Sequence, residues 1–203
     1  MVGLCIEERD FISSLIDNNR DIQEANIYSH HSSTPSHIWK IRVKQDEFSK
    51  WLRLNNSHSL FFDGASKSNP RVAGAGGVIY NPNGDLIASF EWGLGTLSNN
   101  RAEALALYQG LIKLQELGIR NAMVFGDFVA IISLMISKRK ASNIYIQQTI
   151  SRCQALIHQN WNLGFFHVLH AFNKEANKCA SQACNKSKRD ILCNNVECHH
   201  HLP

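Results

Sequence analysis

Apolar and polar positions change their rhythm near residue 58. Before it, residues 8–22 place Phe11, Leu15 and Ile22 at helical spacing, and a polar run follows over 28–37, which predicts a loosely ordered extension over residues 1–57. After it, short apolar runs alternate with turn signals. Leu60-Phe61-Phe62 is broken by Asp63-Gly64 and Asn69-Pro70. Residues 72–80 read as a second strand, Asn81-Pro82-Asn83-Gly84 as a hairpin turn, and 85–94 as a third strand. Ser98, Asn99 and Asn100 offer caps for a helix carrying Ala104, Leu107, Leu111 and Leu114 on one stripe and ending near Gly118. Further runs predict a strand at 122–125, helices at 128–136 and 144–159, a strand at 161–169 and a helix at 173–184. An unstructured tail is expected over 185–203. The order βββαβααβα combines a meander with right-handed parallel crossovers, and so predicts an α/β fold with one mixed five-stranded sheet and helices packed on it, over residues 58–184.

Composition narrows the class. The chain has 203 residues, of which 44% are hydrophobic, enough to build a core. No apolar run approaches the roughly 20 residues of a membrane span. The first residues carry Glu7, Glu8 and Asp10 in place of a basic, then apolar, secretory signal. A soluble, intracellular protein without membrane contact is expected, with nucleus and cytoplasm not distinguished. The cysteines at 5, 153, 179, 184, 193 and 198 form no CxxC pair, so reduced thiols are expected. Residues 58–184 hold eleven Lys or Arg against seven Asp or Glu, a surplus that accounts for the net charge of +4 and suits a polyanionic partner.

With so few carboxylates, each position carries weight. Asp63 shares a strand face with Phe61 and emerges beside apolar aromatics; the plain alternative is a turn aspartate before Gly64. Glu103 precedes Leu107 by four and Leu111 by eight residues, on the core-facing stripe of the first helix; the alternative is a capping box with Asn100. Asp127 follows an apolar strand and precedes a helix, where open α/β sheets keep their ligands; the alternative is an N-cap. Three carboxylates meeting at one sheet edge would repel one another unless cations offset them, and an all-oxygen set favours Mg²⁺, with Mn²⁺ possible, over zinc. Such a centre suits phosphodiester chemistry.

Residues 59–184 resemble a type 1 ribonuclease H domain of the plant and retroelement, reverse-transcriptase-like branch. The motifs are Phe62-Asp63-Gly64-Ala65-Ser66-Lys67-Ser68-Asn69-Pro70, Ala73-Gly74-Ala75-Gly76-Gly77-Val78-Ile79, and Asn99-Asn100-Arg101-Ala102-Glu103-Ala104. Gly126-Asp127, His167-Val168 and Asn173-Lys174-Glu175-Ala176-Asn177 complete them. The resemblance implies an endonuclease that hydrolyses the RNA strand of RNA–DNA hybrids at a two-metal site; a monomer is expected. Asp63, Glu103 and Asp127 would be catalytic ligands, and His167 would assist proton traffic or product release. Asn177 would be a fourth, neutral metal ligand in the place of a carboxylate. Ser66, Lys67, Asn69, Asn99, Asn100 and Arg101 would face the substrate.

Two departures from the family pattern bear on activity. Asn177 replaces aspartate and removes one negative charge, so the second metal is expected to bind weakly, and Phe128 stands where serine is usual. The alternative reading is a weak or inactive nucleic-acid-binding module of retroelement origin. Gly74-Ala75-Gly76-Gly77 lacks the helix and lysine of a phosphate loop. Cys193, Cys198 and His199 to His201 match no zinc spacing and read as a solvated tail, and Lys138-Arg139-Lys140 reads as a charged turn.

Overall fold

The structure is a computed structural model and describes residues 57–67, 72–137, 139–157, 161–188 and 191–195. Nearly all of the expected extension over 1–57 lies outside these residues, as do Asn69, Lys138, Cys198 and His199 to His201. Strands β1 (His58–Lys67), β2 (Val72–Tyr80) and β3 (Leu86–Thr96) form the meander, joined between β2 and β3 by the expected turn, in which Gly84 N–H donates to Asn81 O at 2.9 Å. Then follow α1 (Asn99–Glu116), β4 (Asn121–Gly126), α2 (Val129–Ile136), α3 (Ile144–Leu156) and β5 (Asn162–His167). A short 3-10 turn (His170–Phe172) leads into α4 (Lys174–Ala183).

The sheet has six strands, not five. A strand β6 (Ile191–Asn195) pairs antiparallel with β3, giving the order β5-β4-β1-β2-β3-β6. The tail expected to be unstructured therefore supplies an edge strand. Ile191-Leu192-Cys193 is too short an apolar run to declare itself, and becomes a strand because β3 offers it an unpaired edge. The segment leading there is tied down by Lys186 Nζ, 3.4 Å from Glu91 Oε2.

β1 lies at the centre and is apolar on both faces, the signature of a strand covered on both sides. Leu60 and Phe62 join the main core with Leu107, Leu111 and Leu114 of α1, all buried. On the other face Phe61, Phe125 and Phe166 stack in a row across β1, β4 and β5, with ring centroids 4.7 and 5.1 Å apart. Helix α4 packs against β1, β2 and β3, and α3 packs on α1. The closeness of α4 depends on Gly76, where an added Cβ would stand 2.2 Å from the backbone nitrogen of Ala180.

One topological detail makes room for a site. β1 stays paired with β2 as far as Lys67, whereas its parallel pairing with β4 ends at Phe61 opposite Phe125. The two strands part there, at their C-terminal ends, where a parallel sheet leaves a crevice. Asp63 and Asp127 both come two residues after the last pair.

Candidate metal centre

Asp63, Glu103 and Asp127 meet at this crevice, each offering a carboxylate oxygen within 4.8 Å of the others. The plain alternatives for each fall away. Asp63 is no turn residue: it pairs with Gly76 in the middle of the β1–β2 ladder and is 3% exposed. Helix α1 has Ser98 at its N-cap, which makes Arg101 the third helical residue and leaves Glu103 too deep to close a capping box with Asn100. Glu103 is instead buried, and its Oε2 accepts the Gly64 N–H at 3.1 Å. That contact needs a glycine, since a Cβ on residue 64 would lie 2.1 Å from the Glu103 backbone nitrogen. The N-cap of α2 is Phe128, so Asp127 does not cap it.

Two donors reach the cluster from the segment after β5. Asn177, one turn into α4, directs Nδ2 to Asp63 Oδ2 at 2.9 Å, and His170 holds Nδ1 2.8 Å from Asp127 Oδ2. Asn173 anchors the segment between them: it is 1% exposed and donates Nδ2 to the Phe62 carbonyl at 2.9 Å, while its own carbonyl receives the Asn177 N–H at 3.0 Å.

Burial and mutual repulsion set the electrostatics. Desolvation first, then the charge of Asp127, push the Asp63 carboxyl up to about 7, against the bond from Asn177, which favours the ionised form. Glu103 is raised well above the ordinary carboxylate range, first by burial and then by Asp63 and Asp127; bonds from Gly64 and Asn99 oppose the rise. Among the described residues no lysine or arginine forms an ion pair with any of the three. An all-oxygen set in which burial and mutual repulsion raise Asp63 and Glu103, with no counter-charge beside them, fits a hard divalent cation.

The reverse transcriptase-like family matches residues 61–183, which is more than half of the chain. The chain belongs to that family. Its domain is RNase H-like, of type 1. It is similar to an Arabidopsis thaliana protein named as a candidate ribonuclease H, 27% identical over 138 residues, which make up 68% of this chain and 21% of the relative. Similarity to mycobacterial relatives covers 34% of their length, so the chain spans about a fifth to a third of these curated relatives. Among solved structures, the N-terminal RNase H domain of Rv2228c from Mycobacterium tuberculosis superposes with a TM-score of 0.59 at 27% identity, covering 63% of this chain and 93% of that one. LC11-RNase H1, isolated from compost and solved in complex with an RNA/DNA hybrid, has the same fold, with a TM-score of 0.59 at 24% identity over 63% of this chain and 96% of its own.

The residues expected to face a substrate in this RNase H-like domain are distributed unevenly. Asn99 and Asn100 are exposed at the start of α1, with Asn99 also bonded to Glu103. Arg101 lies 4.4 Å over the ring of Tyr145. Ser66 donates to the Leu97 carbonyl at 3.0 Å, and Lys67 donates to the Ser181 carbonyl at 3.0 Å, so both tie β1 to its neighbours. Asn100 also borders a groove of about 470 Å³ with Phe128, Ser137, Arg139, Lys140 and Asn143.

His167, expected as the assisting histidine, is buried at the end of β5 with Nε2 3.0 Å from the Asp127 carbonyl oxygen. It touches the backbone of Asp127, while the exposed His170 touches the carboxylate. The sequence assigns no role to His170 or Asn173, although Asn173 opens the block that carries Asn177 and His170 stands three residues before it. The available signal was their spacing, seven and four residues before Asn177.

Proposed function

We propose that this chain is a divalent-metal-dependent endonuclease of ribonuclease H type that hydrolyses the RNA strand of RNA–DNA hybrids. The observation that carries the proposal is the convergence of three carboxylates, two of them deeply buried, at the parting of β1 and β4. Family membership and the likeness to a hybrid-bound structure support the substrate class. Asp63, Glu103 and Asp127 would hold Mg²⁺ or Mn²⁺; the chemistry supplied there is activation of a water and neutralisation of charge on a phosphodiester oxygen. Gly64 N–H orients Glu103, and the His167 ring, against the Asp127 carbonyl, holds the loop that carries that carboxylate. Asn99 and Asn100 present polar groups suited to the minor groove of a hybrid, where the 2′-hydroxyl separates RNA from DNA. Arg101, Arg139 and Lys140 supply positive charge for phosphates.

One observation favours a second reading, a nucleic-acid-binding module with weak catalysis: the amide of Asn177 rests on Asp63, one of the three carboxylates that would hold the metal. A cleavage assay on a labelled hybrid decides between them. The wild type in Mg²⁺ or Mn²⁺ should release products with 3′-hydroxyl and 5′-phosphate ends, and Asn177→Asp should cleave at least about tenfold faster, since it restores the missing charge. Wild-type turnover no greater than that of Asp63→Asn in both metals, together with tight hybrid binding, would leave the module reading in its place.

A further inference from the structure

Each carboxylate of the centre already spends one oxygen on an N–H donor. Asp63 Oδ2 receives Asn177 Nδ2 at 2.9 Å, Glu103 Oε2 receives Gly64 N–H at 3.1 Å, and an ionised Asp127 receives His170 Nδ1 on Oδ2 at 2.8 Å. Glu103 also accepts from Asn99, yet a carboxylate oxygen that accepts one N–H keeps a lone pair, so one oxygen from each carboxylate, completed by waters, meets the needs of a single octahedral cation. A second cation beside the first would need a further carboxylate lone pair not already met by a donor, and enough negative charge to offset four positive charges. Here Asn177 meets Asp63 with a donor, and three carboxylates supply at most three charges.

The donors are built in. Asn177 and His170 come from one stretch pinned to β1 by Asn173, whose side chain holds the Phe62 carbonyl next to Asp63 in sequence and whose backbone carbonyl receives the Asn177 N–H. We propose that the substrate-free protein holds one divalent cation, on Asp63, Glu103 and Asp127, and that the Asn177 amide occupies the Asp63 oxygen that a second cation would need. Asn177 is thus a positioning residue that acts as an internal, uncharged stand-in for the second ion, and not a metal ligand. The inference rests on the metal-dependent reading above and adds the number of ions and the reason for it.

Mn²⁺ titration followed by electron paramagnetic resonance tests it without reference to activity. The wild type should bind one Mn²⁺ per chain and give an isolated six-line spectrum free of Mn–Mn coupling. Asn177→Asp, with its fold checked by circular dichroism, should bind two. Two Mn²⁺ in the wild type with affinities within tenfold, or a coupled spectrum, would overturn the inference and leave the metal-dependent reading standing. A folded Asn177→Asp that still binds one would likewise overturn it. No Mn²⁺ binding by the wild type at millimolar concentration would remove the metal-dependent reading itself and the inference with it. The wild-type spectrum decides the matter even if Asn177→Asp fails to fold.

Discussion

Replacing Asp63 by asparagine should make the metal-free protein more stable at neutral and alkaline pH while removing the proposed cleavage activity. The Asp63 carboxyl is 3% exposed and is pushed up to about 7 from an ordinary 3.8. Between these values the folded chain retains a proton that the unfolded chain gives up, so stability falls as pH rises. The contribution is fully present below 3.8 and lost once pH passes about 7. About three pH units at about 1.4 kcal/mol each set the scale at ~4 kcal/mol. Asparagine pays none of this, and its Oδ1 can still accept the Asn177 amide. It also lifts part of the repulsion on Glu103, for which Asp63 is the second cause after burial. At roughly 3–4 °C per kcal/mol for a domain of this size, the melting temperature of wild type relative to Asp63→Asn should drop by about 10 °C between pH 4.5 and pH 8. The assay is thermal denaturation by circular dichroism in EDTA across that range. Millimolar Mg²⁺ at pH 8 should then return most of the lost stability to the wild type and little to the variant. Melting temperatures that stay parallel across the range in EDTA would refute the reasoning, because a buried, proton-holding carboxyl cannot be removed without changing the pH dependence.

Other expectations follow from packing and charge. Gly76→Ala should cost about 2–3 kcal/mol in denaturant melts, because the new Cβ would stand 2.2 Å from the Ala180 backbone nitrogen and α4 must move away from β2. The same shift should weaken the Asn177 contact. Asn173→Ala leaves the buried Phe62 carbonyl without its donor and should lower stability by about 1–3 kcal/mol; an unchanged melt would show that water or backbone motion replaces the bond. Binding of an RNA–DNA hybrid should weaken steeply with salt, as phosphate contacts from a surface with a basic surplus release counterions, and Arg139→Ala should make the log–log slope shallower by about one unit. A slope that does not change would place Arg139 outside the bound surface.

Much of the fold can be read from local pattern, because the forces that choose each element act over a few residues. The span 72–80 was delimited from its β-prone run and the turn after it, and β2 occupies those residues. The α1 stripe of Leu107, Leu111 and Leu114 follows from helical spacing alone. The carboxylates stood out for a related reason: Glu103 sits on an apolar stripe and Asp63 beside buried aromatics, where an unpaired charge is costly. Their plain alternatives could not be discarded on the same grounds, since capping and turn roles use the same residue types. Tertiary structure discarded them, by placing the α1 N-cap at Ser98 and extending β1 through Asp63 to Lys67. It also decided what local pattern cannot express. Strand β6 exists because β3 had a free edge, Gly64 and Gly76 matter because backbones meet there, and His170 matters because the segment after β5 folds back onto Asp127. Asn177 could be seen in sequence as a missing charge. That its amide nitrogen meets Asp63 is a fact of two elements 114 residues apart, and only the packing of α4 on β1 and β2 brings them together.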